Sequence, residues 1–178
     1  DPLKKIPLFI SGYFIIFMIN GIQFADIIHK YHWRSNAMEK EELIAPCGMN
    51  CGLCVSYQFM KSDLNKQGFR RTYCAGCRPR GKNCAFMKKS CDLLGKGLVR
   101  YCFECKDFPC VRLKALDKRY RTKYHMSMID NLNNIKERGI ERFWANEEEK
   151  WRCPKCGGTR CCHNGLCLNC DLDQLHAK

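Results

Sequence analysis

Five C-x-x-C pairs punctuate the chain: Cys51/Cys54, Cys74/Cys77, Cys102/Cys105, Cys153/Cys156 and Cys167/Cys170. Two thiolates so close in sequence can point at one ion, whereas the disulfide frameworks of secreted proteins usually join cysteines far apart. Cys47, Cys84, Cys91 and Cys110 stand around the pairs, and together with them make up the expected set of metal ligands. The remaining two of the 16 cysteines, Cys161 and Cys162, sit beside His163. Adjacent residues do not easily face one ion, so at most one of these two thiols is expected to ligate, and a role for His163 is left open. Ligation by free thiols requires a reducing compartment, which points to a cytoplasmic protein.

The pairs fall in two groups. Cys47 to Cys110 holds ten cysteines, and CPKCGGTRCCHNGLCLNC over 153–170 closes the chain. In CPKCGG, Pro154 fixes the turn and Gly157 frees the backbone behind the second thiol. Joining Cys153/Cys156 to Cys167/Cys170 gives a four-cysteine site of the zinc-ribbon kind, a tetrahedral sulfur cage that suits zinc. Cys47-x3-Cys51-x2-Cys54 has the spacing that holds three irons of a cluster in radical S-adenosylmethionine enzymes. Those enzymes need a large barrel of repeated strand–helix units, and this chain has neither the length nor the strands.

Taken in order, APCGMNCGLC, YCAGC, the Cys84/Cys91 pair and CFECKDFPC resemble the uncharacterised Cys-rich domain-of-unknown-function family 3795 over about residues 38–125. The resemblance implies a small metal- or cluster-binding protein and brings no established activity.

The elements that must position these thiols are mostly helical. Val55, Phe59 and Leu64 follow Cys54 at roughly helical spacing, with Gly68 as a stop signal. Cys84 and Cys91, seven apart, suit one helix face two turns separated, with Phe86, Met87, Leu93, Leu94 and Leu98 as apolar neighbours. Pro109 is placed to open a helix whose apolar stripe is Val111, Leu113, Leu116 and Tyr120. Ser127-x-x-Asp130 is a capping motif for the next helix, Leu132 and Ile135 continue its stripe, and Gly139 is expected to end it. Phe143, Trp144 and Trp151 are the anchors offered to the last segment, and His125 is expected at the surface.

The formal net charge of +13 suggests an acidic partner such as nucleic acid. Each four-thiolate zinc site carries a charge near about −2, so several such sites remove roughly half of the excess. Arg70, Arg71, Arg78, Arg80 and Lys82 crowd the loop around Cys74 and Cys77, and are expected to offset thiolate charge rather than to contact phosphate.

Residues 1–37 are expected to be a non-native or upstream-translated segment, with a membrane anchor as the alternative. Their apolar run, Ile6 to Ile19, is short for a span of roughly 20 residues and is followed by no small-residue cleavage site. Met38 opens MEKEELIAPCGMNC like an ordinary start. Trp33 and Arg34 permit a ribosome-binding sequence just upstream, and Ser35-Asn36-Ala37 also matches a tag remnant.

The expected fold is therefore a small metal-stabilised, α-rich and loop-rich Cys domain over 38–111, a helical segment over 112–150, and a zinc-ribbon-like β-knuckle over 151–178. The expected function is a zinc-binding, non-catalytic interaction module docking on nucleic acid or another protein. The alternative is an iron–sulfur protein with a [4Fe–4S] cluster in the 47–110 region, serving electron transfer or cluster handling. Sulfur-only cages lack the open position of catalytic zinc. No Ser/His/Asp set, phosphate-cradling Gly loop or paired-carboxylate motif appears, and no small-molecule substrate is evident.

Overall fold

The computed structural model describes residues 39–80 and 91–176, all within one compact unit, Ala37–Lys178. The expectations for 1–37, Cys84, Phe86, Met87 and Lys82 lie outside the described residues. The described elements are α1 (Val55–Lys61), a single turn α2 (Asp92–Gly95), α3 (Val111–Tyr124), α4 (Met128–Lys150) and a terminal turn α5 (Asp173–His176). Short 3-10 turns occupy Cys51–Leu53, Leu64–Gln67 and Cys102–Glu104. No described helix is long and apolar enough to cross a membrane.

Among the described residues there is no strand. The β-knuckle expected at the C-terminus is present there only as two antiparallel bridges, Arg152↔Thr159 and Arg160↔Cys167. With turns at Gly157 (φ 73°) and Gly165 (φ 75°) so close together, the backbone leaves no run long enough to propagate a ladder.

The main core draws on the first cysteine loop, α2, α3, α4 and the start of the C-terminal knuckle. Ile44, Ala45, Cys47, Leu113, Met128, Leu132, Phe143, Trp151 and Cys162 are all buried in one cluster. α3 contributes Leu113 and Leu116 as its periodicity requires, with Tyr120 half-buried at the margin. Val111, expected in the same stripe, is 82% exposed, because the first residue of the helix points away from the core. Leu98 is likewise exposed, while Leu94 of α2 is buried. Cys91 is extended (φ −133°, ψ 108°), so the helix expected to carry Cys84 and Cys91 does not reach the second of them.

α4 starts as its capping motif dictates: the Ser127 hydroxyl accepts the Asp130 amide at 3.0 Å. At Gly139 the backbone leaves the helical region (φ 77°, ψ 167°), and a second helical stretch resumes beyond it. The predicted stop is thus a kink, and it lets Phe143 turn back into the core beside Trp151. Gly48 carries the other close approach. A Cβ there would stand 2.7 Å from the Met128 carbonyl oxygen, and the Gly48 carbonyl accepts the buried Asn131 amide at 2.9 Å. That contact fixes the first cysteine loop on α4.

Asp117, buried on α3, clamps the α3–α4 turn. Its carboxylate accepts Arg121 Nε–H at 2.7 Å, the Ser127 hydroxyl at 2.8 Å and the Ile129 amide at 3.1 Å. Burial works against its charge, but the hydrogen bonds from Ile129, Ser127 and Arg121 prevail and hold its pKa below the usual carboxylate range. A depressed carboxylate pKa gives stability present above the unfolded value of about 4 and lost as pH falls through the folded one. Asp117→Asn should cost about 1–3 kcal/mol in urea unfolding at neutral pH, and the gap to wild type should shrink on acidification below about pH 4. A pH-independent gap would contradict the charged clamp.

Candidate metal centres

The C-terminal knuckle brings four thiols together. The Sγ atoms of Cys153, Cys156, Cys167 and Cys170 all lie within 4.8 Å of one another, a group that can hold a metal ion. Cys156 and Cys167 are 3.6 Å apart. Sulfurs on a tetrahedral ion with bonds of about 2.3 Å stand roughly 3.8 Å apart, so this edge is already at ligation distance.

The backbone is wound to receive thiolates. Cys153 Sγ meets the amides of Cys156 and Lys155, and Cys167 Sγ those of Asn169 and Cys170. Gly158 N–H points at Cys156 Sγ at 3.4 Å. A Cβ at Gly158 would come within 2.8 Å of the Asn169 amide nitrogen and 3.3 Å of Cys156 Sγ, so this position is held small by the sulfur cluster. The amides of Cys156 and Lys155 lower the Cys153 thiol to about 7, whereas hydrogen bonding to Cys156 and then burial push Cys170 up to about 12. Four negative sulfurs at this spacing repel one another, and a cation among them removes the conflict.

Asp171 closes the loop behind the sulfurs. It accepts the Cys167 amide at 3.0 Å and the Lys155 ammonium at 3.0 Å. Those contacts set where Cys167 and Cys170 stand.

The nine earlier cysteines among the described residues do not gather in one place. Cys51 is buried, accepts the Cys77 amide at 3.3 Å, and has its thiol pushed up, first by hydrogen bonding to the Cys77 side chain and then by burial. Cys54 accepts the Ser56 and Tyr57 amides at the start of α1, and its thiol is raised by burial, with Cys74 and Cys77 adding to the effect. Cys51, Cys54, Cys74 and Cys77 are therefore neighbours, joining two C-x-x-C pairs far apart in sequence. Cys47 is buried and lines a cavity of about 230 Å³ with Cys77.

Cys91, Cys102, Cys105 and Cys110 line a separate small cavity of about 30 Å³, walled by Leu94, Val99, Phe108 and Leu113. No three of these thiols come within 4.8 Å of one another. Asp107 N–H points at Cys105 Sγ at 3.4 Å.

Three arginines of the basic loop are engaged locally, one of them on a sulfur. Arg80 reaches Cys74 Sγ at 3.4 Å. Arg78 donates to the Ile44 and Arg100 carbonyls at 2.6 and 2.9 Å and lies over the Tyr101 ring. Arg71 lies 5.4 Å from the centre of the Phe59 ring.

The residues left open by the sequence, Cys161, Cys162 and His163, form the joint between the two cysteine regions. Cys162 N–H donates to the Leu53 carbonyl at 3.0 Å, and Val55 N–H donates to His163 Nδ1 at 3.4 Å. Cys161 is fully buried with Val55, Phe59, Leu64 and Leu168 in a second apolar cluster. Burial raises both thiols, and burial followed by Arg71 lowers the His163 pKa. The neutral ring accepts from Val55 and stands 3.5 Å from the Tyr120 hydroxyl. His125 is exposed at the end of α3.

With that geometry in hand, the comparisons with known proteins add one match. Residues 43–115 match the family model described as Protein of unknown function (DUF3795). The matched stretch contains all ten cysteines of the first group and ends inside α3, so the C-terminal four-thiol group lies outside it. No curated protein and no solved structure matches the chain.

Replacing Asp171 by alanine should loosen the loop that carries Cys167 and Cys170 while sparing every sulfur. Metal affinity, measured by chelator competition, is expected to fall about tenfold or more, the usual effect of removing a group that orients a ligand. An unchanged competition curve would show that Asp171 plays no part in holding the site.

Proposed function

We propose that this protein is a zinc-binding, non-catalytic module whose C-terminal knuckle, zinc-ribbon-like in its ligand arrangement, holds one ion through Cys153, Cys156, Cys167 and Cys170. The observation that carries this reading is the closure of four thiols to within 4.8 Å, with backbone amides aimed at their sulfurs. Four sulfurs in a compact cage suit zinc and leave no coordination position for a reacting water, which favours a structural role. Cys51, Cys54, Cys74 and Cys77, neighbours that do not close to within 4.8 Å as the knuckle thiols do, are the proposed ligands of a further ion, which would draw the first cysteine loop closed.

A second reading applies to the cavity lined by Cys91, Cys102, Cys105 and Cys110. Four thiols face one apolar cavity there without closing on a point, which is the donor set of an iron–sulfur centre, so such a centre is the alternative, and its binding requires the cavity of about 30 Å³ to widen. Cys47 and Cys84 remain candidate ligands without an assigned group. The cytoplasm is the proposed compartment, since free thiols persist there.

Elemental analysis with a visible spectrum, on protein purified without oxygen, tests both readings. Zinc that disappears from the knuckle in the Cys156→Ser, Cys170→Ser double variant supports the first. Brown protein absorbing near ~400 nm, with iron and acid-labile sulfide lost on Cys102→Ser but not on the knuckle substitutions, supports the second for its cavity alone. A chain free of metal, with thiols fully reactive under native conditions, would overturn both.

A further inference from the structure

A cavity opens beside Cys162 and His163, at the joint between the two cysteine regions. It measures about 560 Å³ and is walled by the end of α3, the end of α4 and the segment 160–165 around Cys162. Lys123, Lys150 and Arg160 bring one permanent cation from each of those three walls, and no carboxylate is among the lining residues. Tyr124 and Trp151 add two aromatic rings, and His163 closes the floor.

Lys123 and Lys150 stand in last helical turns, where a cation also complements the carbonyl end of the helix dipole. That accounts for two cations and not for the third. Arg160 donates through Nη2 to the Lys150 carbonyl at 3.2 Å, which fixes its guanidinium against the end of α4. Its Nε–H is buried and has no acceptor. A buried donor without a partner is costly, and an anionic oxygen in the cavity would supply what it lacks.

The aromatic rings define the rest of the ligand. Tyr124 is half-buried and meets the His163 ring edge-on, with centres 4.9 Å apart, so its position is fixed. The Lys150 ammonium lies 5.6 Å from the centre of the Trp151 ring, which places a charge and an aromatic surface side by side. The volume falls in the range that holds small-molecule ligands, roughly 300–1,000 Å³, and is far larger than inorganic phosphate needs. Base-on-aromatic stacking is tolerant of sequence and works with any planar heterocycle.

We infer that this cavity binds a phosphorylated planar heterocycle, a nucleotide unit, with its phosphate on Lys123, Lys150 and Arg160 and its base against Tyr124 and Trp151. The unit has two chemical sources, a free mononucleotide or a single-stranded nucleic acid. The inference does not depend on which metal the cysteines hold.

Isothermal titration of the metal-loaded 178-residue chain with AMP, UMP, inorganic phosphate, adenosine and a short single-stranded oligonucleotide tests it. A mononucleotide should bind at least about tenfold more tightly than either phosphate or adenosine alone. Lys123→Ala with Lys150→Ala, both exposed positions, should weaken it by about tenfold or more with an unchanged thermal transition. Tighter binding of the oligonucleotide than of AMP or UMP makes single strands the source; the reverse makes it a free nucleotide. Equal affinity for inorganic phosphate overturns the proposal, and so does the absence of mononucleotide or oligonucleotide binding at about 1 mM ligand in low salt.

Discussion

Four sulfurs within 4.8 Å of one another are the constraint on which the C-terminal knuckle depends. Backbone amides at Cys156 and Lys155 pull the Cys153 thiol down, while hydrogen bonding to Cys156 pushes Cys170 up, so the four do not titrate alike. Apart from its sulfurs the knuckle has few means of cohesion. Two isolated bridges, one ion pair at Asp171 and a single buried leucine, Leu168, are a small return for ordering some twenty residues. A structural metal bound there would contribute on the order of 10 kcal/mol, enough to make up the difference.

The knuckle in turn supports the rest. Cys161 and Leu168 complete the apolar cluster that α1 cannot close alone, and Cys162 reaches into the main core beside Phe143 and Trp151. The hydrogen bonds from Cys162 to Leu53 and from Val55 to His163 tie the knuckle to the CGLC turn. A loss of order at residues 153–170 would thus expose the floor beneath Cys54 and remove one wall of the basic cavity. Cysteines that bind no metal here still have a place: buried and neutral, they pack as small apolar residues.

Much of this organisation was legible in the sequence. The C-x-x-C spacings of the knuckle specified which four thiols would meet, because two pairs separated by a short insert have little choice of partner. The Ser127 cap and the Leu113/Leu116 periodicity marked their helices, whereas Val111 was misplaced at a first turn where periodicity carries little weight, and Gly139, expected as a stop, kinks α4 instead. The grouping of the ten earlier cysteines was not legible. Spacing says which thiols are near neighbours, whereas the meeting of Cys51 with Cys77, or of Cys91 with Cys102, depends on how loops pack against α3 and α4. Nor did any contiguous motif announce the basic cavity. Lys123, Lys150 and Arg160 come from three segments, and each alone resembles an ordinary solvated charge.

The central claim is that sulfur alone encloses a zinc ion in the knuckle. X-ray absorption at the zinc edge, on a variant keeping Cys153, Cys156, Cys167 and Cys170 but with Cys51, Cys54, Cys74 and Cys77 replaced by serine, measures that ligand shell directly. The account predicts four sulfur scatterers at about 2.3 Å and no lighter neighbour. A shell containing nitrogen or oxygen at about 2.0 Å would contradict it, as would a soluble, folded variant that holds no zinc.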